Sequence, residues 1–210
     1  MPKMKAYENQ ANTIIKNMEK RNFKGYYVAT AAEAKEKVLS LIADGATIAW
    51  GGSMTMQEIG IFEALEKGNY NLIDRMKATS PEEAREIYAK STLADVYLMS
   101  TNAITLEGEL INIDGHGNRV ACLITGPKKV IIVAGMNKVC SDVKSGYQRV
   151  KDVASPPNTV RLNRKTPCAV TGKCEDCYSP DCICAHTVIS RRCKEPDRIH
   201  VILVGEELGY

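Results

Sequence analysis

The sequence is poor in aromatic residues and has no long apolar run. One tryptophan and two phenylalanines accompany nine tyrosines, which is too sparse a set for the stacked aromatic platform of a single-stranded nucleic-acid binder. No apolar stretch approaches the roughly 20 residues that span a bilayer. Positive and negative side chains are interleaved and leave a net charge of only +3. The sequence therefore predicts no nucleic-acid partner and no membrane span.

Common nucleotide-binding motifs and a secretory signal are also missing. Gly51-Gly52 is not followed by the Gly-Lys-Ser/Thr of a Walker loop, and Gly115-His116-Gly117 lacks the third glycine of the dinucleotide fingerprint. The sequence thus offers no evidence for NAD binding. Because no signal peptide is recognisable at Met1, we expect a cytoplasmic protein.

The order of apolar segments predicts an α/β fold. The chain has 210 residues, 44% of them hydrophobic, enough for one core with a small appendage. Short apolar runs alternate with helix-like segments between residues 26 and 99, which is a βαβα rhythm. The unbroken runs at 130–133 and 201–204 favour strands covered on both faces. We therefore predict a Rossmann-like, mostly parallel sheet.

Helices are predicted from apolar spacing and from cap motifs. Residues 1–22 are predicted to form an amphipathic N-terminal helix with an apolar stripe. We expect this helix to lie on the surface of the domain or on a partner. Residues 23–210 are predicted to form the α/β domain. Thr30, Thr55 and Ser80 each precede a glutamate by three positions, as in a capping box. A further helix is predicted over 141–153, ending near Pro156-Pro157, followed by irregular chain until a final strand at 200.

Six of the eight cysteines lie between residues 168 and 193. Thiolates are soft ligands for zinc or iron–sulfur clusters, and four of these cysteines follow a C-x5-C-x2-C-x6-C spacing that can close around one ion or cluster. The predicted ligands are Cys168, Cys174, Cys177 and Cys184. Spacing leaves open whether the centre is zinc or a four-iron, four-sulfur cluster. A disulfide-stapled tail is the alternative, which the expected cytoplasmic location disfavours.

A glycine-rich turn follows the predicted strand at 47–50. Gly51, Gly52, Ser53 and Thr55 stand between that strand and a helix, where free N–H groups and hydroxyls can face an anion. The sequence thus predicts an anion pocket at the carboxyl edge of the sheet. The alternative is a tight turn with an N-cap and no ligand.

Two further polar segments are predicted at the same edge. Ser100, Thr101 and Asn102 follow the strand that ends at Met99, and Asn137 and Lys138 follow the run at 130–133. These five residues are predicted to bind an anionic substrate. Glu107, Asp114 and Asn118 are the candidate catalytic residues, because carboxylates and amides can attack, polarise or orient a substrate. A β-hairpin in which the Asp-Gly and Asn residues only make turns is the alternative.

These segments together resemble the LUD-domain family, the lactate-utilisation proteins that include lactate-utilisation protein C. The resemblance lies in Trp50–Thr55, Ser100–Ile104, Asn112–Gly115 with Gly117–Val120, Gly126–Lys129 and Asn137-Lys138. It extends into the tail through Thr166–Cys168, Thr171–Cys174, Cys177 and Ile183-Cys184, which resemble the cysteine-bearing branch of the family. Cys182 and Ala185 depart from that branch, where arginine and asparagine are expected, so the choice between Cys182 and Cys184 as fourth ligand stays open.

The resemblance implies a fold of the sugar-phosphate isomerase and CoA-transferase type, and a role in oxidising lactate to pyruvate with iron–sulfur partner proteins. The leading hypothesis is a subunit or accessory of such an oxidation system, with an anion pocket and a cysteine-ligated metal centre. One alternative is a stand-alone CoA-transferase-like or isomerase-like enzyme that uses Glu107. Another is a non-catalytic scaffold for iron–sulfur proteins. The sequence leaves the oligomeric state open, a homo-oligomer included.

Overall fold

The computed structural model describes residues 2–210 as an α/β protein with two sheets. The strands, in chain order, are β1 (Phe23–Val28), β2 (Thr47–Trp50), β3 (Asn71–Ile73), β4 (Val96–Met99), β5 (Ala103–Thr105), β6 (Leu110–Asp114), β7 (Lys129–Gly135), β8 (Val139–Cys140), β9 (His186–Ser190) and β10 (Ile199–Val204). The α-helices are α1 (Pro2–Glu19), α2 (Ala31–Ser40), α3 (Met54–Glu58), α4 (Ile61–Lys67), α5 (Pro81–Thr92), α6 (Asn118–Ile124), α7 (Val143–Arg149), α8 (Ser155–Arg161) and α9 (Pro167–Thr171).

The central sheet has six strands in the order β1-β10-β7-β4-β2-β3, all parallel. Side chains alternate between its faces, as the pleat requires. Val130 and Ile132 pack on one face with α1 and α6, whereas Ile131 and Val133 pack on the other with α2, α3 and α4. The prediction of a mostly parallel sheet with helices on both faces is confirmed.

Helix α1 is part of the core. Ala11, Ile14 and Met18 have no solvent exposure and belong to the cluster on one face of the central sheet. The helix also lies close to β1, because a Cβ added at Gly25 would stand 2.8 Å from Cγ1 of Ile15. The predicted apolar stripe is therefore the surface by which α1 packs on its own domain.

A second sheet, in the order β8-β5-β6-β9, was not predicted. Strands β5 and β6 form an antiparallel hairpin, β9 pairs antiparallel with β6, and β8 pairs parallel with β5. The expectation of irregular chain from Pro157 to residue 200 is wrong, because α9 and β9 lie in this segment. Residues from the tail thus complete a sheet that begins with β5.

The helix predicted to end near Pro156-Pro157 continues past them. Helix α7 runs into a π-helical turn over Val150–Ala154, and α8 begins at Ser155 and ends at Arg161. The two prolines stand in the first turn of α8, where a missing N–H removes no intrahelical hydrogen bond. The two prolines therefore lie at the start of α8 and do not end the helical segment.

The three predicted capping boxes have different outcomes. Thr30 and Glu33 form the full box, which confirms that prediction. Ser80 accepts a hydrogen bond from the Glu83 N–H as expected, but the Glu83 carboxylate reaches one residue further back and accepts from Thr79 N at 2.7 Å. The box at Thr55 is not formed, for a reason that lies in the candidate site. No helix within residues 2–210 has both the length and the apolar character needed to cross a bilayer.

The burial of α1 predicts a large effect of truncating its apolar stripe. We expect Ile14→Ala to lower the free energy of unfolding by about 2–5 kcal/mol, because the removed methyl groups leave a cavity in the core. Lys16→Ala is the matched control on the exposed side of α1 and should change stability by less than about 0.5 kcal/mol. Urea denaturation measures both, and equal effects of the two variants would contradict the packing of α1.

Candidate functional site

A cavity of about 550 Å³ opens at the carboxyl edge of the central sheet. It lies where β2, β4 and β7 end and where the second sheet meets the first. Nine of the predicted site residues line it: Gly52, Ser53, Thr55, Ser100, Thr101, Asn102, Asp114, Asn118 and Lys138. Four separate chain segments therefore come together, three of them at the carboxyl ends of the parallel strands β2, β4 and β7 and one at the end of β6.

Gly51 and Asn137 stand behind the cavity wall. A Cβ added at Gly51 would lie 3.1 Å from Cδ of Arg119, so the glycine makes room for that side chain. The Asn137 amide holds the C-terminal segment, since its Oδ1 accepts from Leu208 N at 3.1 Å. Both residues shape the cavity without lining it.

Glu107 lies apart from this group of residues. It stands in the turn between β5 and β6, where its carboxylate pairs with Lys20 of α1 at 2.8 Å and its side chain is 57% exposed. The hydrogen bond from Lys20 lowers the pKa of the Glu107 carboxyl. The structure therefore does not bring Glu107 to the cavity that holds the other predicted residues.

Thr55 contributes to the cavity and not to the cap of α3. Ser53 is the N-cap, because its hydroxyl accepts from Met56 N at 3.3 Å. Thr55 Oγ1 accepts from Lys138 Nζ at 2.9 Å and donates to Leu208 O at 3.3 Å. The carboxylate of Glu58, the other half of the predicted capping box, accepts from Gly209 N at 2.7 Å. The predicted Thr55 capping box is thus wrong, and its two side chains hold the C-terminal segment over the site.

Lys138 is buried in the cavity wall with 4% of its surface exposed. It ends the 3₁₀ turn that follows β7, and its Nζ donates to Thr55 Oγ1 and, at 3.0 Å, to Ser100 Oγ. Burial, with the positive charges of Arg149 and Arg119, lowers the pKa of Lys138 to about 7, and the negative charge of Glu58 opposes part of this decrease. At neutral pH this amine therefore exists in both its charged and its neutral form.

Arg119 organises the wall between the two sheets. Its guanidinium donates to the side-chain oxygens of Asn112 and Asn102 and to the carbonyl of Ile113, and its Nε lies 3.2 Å from the carboxylate of Asp114. The side chains of Arg119 and Asp114 are 13% and 9% exposed. We did not predict this role, and the only sequence signal for it is the position of Arg119 in the first turn of α6.

Further cations surround the opening of the cavity. Arg75, Arg161 and Arg164 line it, and Arg164 pairs with Asp181 at 3.0 Å. The carboxylates of the wall, Asp114 and Asp181, are thus each paired with an arginine. The cavity is therefore positively charged and suits an anionic ligand. These arginines come from distant parts of the chain, so sequence spacing gave no sign of them.

A second cavity, of about 370 Å³, is lined by sulfur. The thiols of Cys168, Cys174, Cys177, Cys182 and Cys184 all line it, so it contains the four predicted ligands and Cys182. The thiol of Cys168 also lies 3.3 Å from Thr166 Oγ1 and 3.5 Å from Thr159 Oγ1. Lys151 lines the same cavity and pairs with Asp176.

The thiol of Cys184 is shifted towards its neutral form. Burial, together with the neighbouring thiols of Cys182, Cys177 and Cys174, raises the pKa of Cys184 to about 11, although the residue as a whole is exposed. A bound cation has the opposite effect, since a coordinating thiol loses its proton.

The donor set suits a soft metal, but the ligands are not pre-arranged. Five thiols on one cavity wall match the chemistry of zinc or an iron–sulfur cluster. Within residues 2–210, however, no group of three or more His, Cys, Asp or Glu side chains is arranged to hold a metal ion. Metal binding therefore requires the loop around Cys174–Cys184 to contract, a coupling of ligation to local folding that is common in small metal sites.

The two cavities share one wall. Ile113, Cys182, Ile183 and Ala185 line both of them. The shared segment lies close to the end of β6, because a Cβ added at Gly115 would stand 3.3 Å from Cα of Ile183. A single thickness of chain thus separates the sulfur-lined cavity from the positively charged one, which is called the anion cavity below.

The model of the LUD domain matches residues 11–204 of the chain. This chain belongs to the LUD domain family. The matched range contains α1 from Ala11 onward, both sheets and all eight cysteines. Family membership was predicted from the sequence and is confirmed. A comparison with curated proteins finds no match.

Two solved structures are similar to this LUD domain to different extents. A crystal structure of a DUF162 family protein from Deinococcus radiodurans aligns over 94% of this chain and 98% of its own, with a TM-score of 0.55 and 14% sequence identity. Ribose 5-phosphate isomerase A from Methanocaldococcus jannaschii aligns over 54% of this chain and 55% of its own, with a TM-score of 0.34 and 16% identity. The first of these supports the fold over nearly the whole chain.

The buried position of Arg119 predicts a structural cost for its removal. We expect Arg119→Met to lower the free energy of unfolding by about 3–5 kcal/mol, because it leaves the Asp114 carboxylate buried without its partner. Arg85→Met is the control, since Arg85 is exposed on α5, and should stay within about 0.5 kcal/mol of the parent protein. Thermal and urea unfolding measure both. Similar stability of the two variants would show that Arg119 does not hold the wall.

Proposed function

We propose that this chain is a subunit of a system that oxidises lactate or a related 2-hydroxy acid, and that it binds the carboxylate of the acid in the anion cavity. The observation that carries the proposal is the position of Lys138, a buried amine between the hydroxyls of Thr55 and Ser100 in the wall of that cavity. Membership of the LUD domain family supports the link to lactate utilisation.

The donors around Lys138 match the functional groups of a 2-hydroxy acid. A carboxylate is recognised by a positive charge together with N–H or O–H donors, and the protonated amine of Lys138 supplies both the charge and N–H donors. Arg75 and Arg161 add positive charge at the opening. A three-carbon acid fills only part of about 550 Å³, so the cavity has room for a larger acid or for a second reactant.

Oxidation of a 2-hydroxy acid to a 2-oxo acid removes two electrons and two protons, which an acceptor must take. In the proposal, the thiols of the sulfur-lined cavity would hold a redox centre, and iron–sulfur partner proteins would be the electron acceptors. Cys168, Cys174 and Cys177 hold this centre together with Cys184 or Cys182. An iron–sulfur cluster would supply one-electron transfer there, whereas zinc would be structural.

The stand-alone enzyme based on Glu107 has less support. Its carboxylate would need to lie within reach of a bound substrate, whereas it is paired with Lys20 on the outer side of the β5–β6 turn. Asp114 and Asn118 line the anion cavity and remain proposed to orient the substrate there. The geometry thus favours the acid-binding proposal over the glutamate nucleophile.

Anion binding is expected to weaken as the pH rises. The amine of Lys138 is charged below its pKa of about 7, so its attraction for a carboxylate is present at lower pH and is lost as the pH rises through that value. Titration calorimetry with L-lactate should show the decrease in affinity. Replacing Lys138 by methionine should cost roughly 1.5–3 kcal/mol of binding free energy at low pH, as for a hydrogen bond from a charged group.

Lys138→Arg is the matched control for this titration. Because a guanidinium keeps its charge throughout the accessible pH range, this variant should bind the acid with little dependence on pH near neutrality. A wild-type affinity that does not change with pH, or that survives Lys138→Met, would contradict the assignment of Lys138 as the carboxylate donor.

The cysteine centre predicts metal binding that depends on particular thiols. Protein purified without oxygen and supplied with iron and sulfide should turn brown and absorb in the visible range, or else should bind one equivalent of zinc and stay colourless. Cys174→Ser and Cys177→Ser should abolish either result, because each removes a proposed ligand. Metal analysis together with an absorption spectrum distinguishes iron from zinc.

Cys122→Ser is the control, since Cys122 is buried in α6 against the central sheet. It should keep the metal content of the parent protein. Comparing Cys182→Ser with Cys184→Ser identifies the fourth ligand, because only the variant that lacks it should lose metal. Equal metal content in all five variants would overturn the proposed centre.

A further inference from the structure

Lys138 differs from most buried lysines in having no carboxylate partner. In the part of the chain that the structure describes, residues 2–210, its amine makes no ion pair, and its hydrogen bonds go to the neutral hydroxyls of Thr55 and Ser100. A buried ammonium is ordinarily paired, because burying an isolated charge is costly. No carboxylate therefore pairs with Lys138 to stabilise the charged form of its amine.

The surroundings of the amine are rigid. Arg149 of α7 donates to the carbonyls of Asn137 and Asn102, at 3.1 and 2.6 Å, and so fixes the turn that carries Lys138. On the opposite side, the backbone at Gly209 passes close by, since a Cβ added there would lie 3.4 Å from Nζ. The amine is thus held at one place in the cavity wall, as a reacting group must be.

The charges that face Lys138 favour its neutral form. Arg149 on α7 and Arg119 on α6 are positive, and Glu58 on α3 is the opposing negative group. Burial acts in the same direction as the arginines and brings the pKa of the amine to about 7. A lysine with a free lone pair near neutral pH is a nucleophile towards carbonyl carbon.

We infer that Lys138 forms an imine with the C2 carbonyl of a 2-oxo acid bound in the anion cavity. The inference deepens the proposed function and rests on it, because the 2-oxo acid is the oxidation product of the 2-hydroxy acid and would be held at the same site. The cavity supplies the other requirements of the reaction, namely positive charge for the carboxylate and hydroxyl groups beside the amine.

The reaction balances without an oxidant or a reductant. The Nζ lone pair attacks C2, the carbonyl π bond breaks, and a proton transfer gives a neutral carbinolamine. The C–O bond then breaks and water leaves, so that the oxygen of the acid and the two hydrogens of the amine are lost as one water molecule. Thr55 and Ser100 stand where their hydroxyls can hydrogen-bond to the departing oxygen. The product is an electron-poor C=N bond next to the carboxylate.

Chemical trapping tests the inference. The full-length protein is incubated with pyruvate and sodium cyanoborohydride near neutral pH, and digested peptides are analysed by mass spectrometry. The hydride reduces an imine to a stable secondary amine, so we expect an N-(1-carboxyethyl) adduct at Lys138 at low pyruvate concentration. Lys128, which is 80% exposed, is the internal control for nonspecific labelling and should react only at much higher concentration.

Variants separate this inference from the proposed function. Lys138→Arg should lose the trapped adduct while it still binds pyruvate by calorimetry, because a guanidinium binds the carboxylate but does not form the imine. Binding by the parent protein without any adduct at Lys138 would overturn the imine and leave the acid-binding proposal standing. Absence of pyruvate binding would overturn both. Trapping by the parent protein should also rise with pH through about 7, and labelling no faster than at Lys128 would likewise contradict the imine.

Discussion

The buried guanidinium of Arg119 ties the two sheets of the protein together at the site. It lies between the end of β4 and the end of β6, where it interacts with the side-chain oxygen atoms of Asn102, Asn112 and Asp114. A charge at this depth is stable only when its donors are satisfied, so these side chains have little freedom to move. The position of the cavity wall follows from that constraint, and so does the requirement for a glycine at position 51.

The same strand–helix turn serves both the fold and the site. In an ordinary turn of this kind, the hydroxyl residue and the glutamate three positions later would satisfy the first N–H groups of the helix. Here Ser53 caps α3, which leaves Thr55 to hold Lys138 and Glu58 to hold the backbone at Gly209. Helix α3 has only five residues. The polar side chains of this helix contribute to the cavity and do not cap the helix.

The sequence allowed the central sheet and much of the anion cavity to be predicted, for a clear physical reason. Apolar runs such as 130–133 must be covered on both faces, and the carboxyl ends of parallel strands meet at one edge, which brings Ser100, Thr55 and Lys138 together. The second sheet could not be predicted, because β9 pairs with β6 only after about seventy intervening residues and its burial pattern is mostly exposed. Arg75 and Arg161 could not be predicted for a similar reason, since no local sequence pattern identifies a side chain that reaches a distant cavity.

The strip of chain from Cys182 to Ala185 has an electrostatic consequence. It lines the anion cavity and also the sulfur-lined cavity, so the two cavities are one segment of chain apart. Charges separated by so short a distance interact more strongly across protein than across water. If the proposed redox centre and acid occupy the two cavities, a change of charge at the sulfur atoms would change the electrostatic potential at the acid, and each ligand would alter the binding of the other.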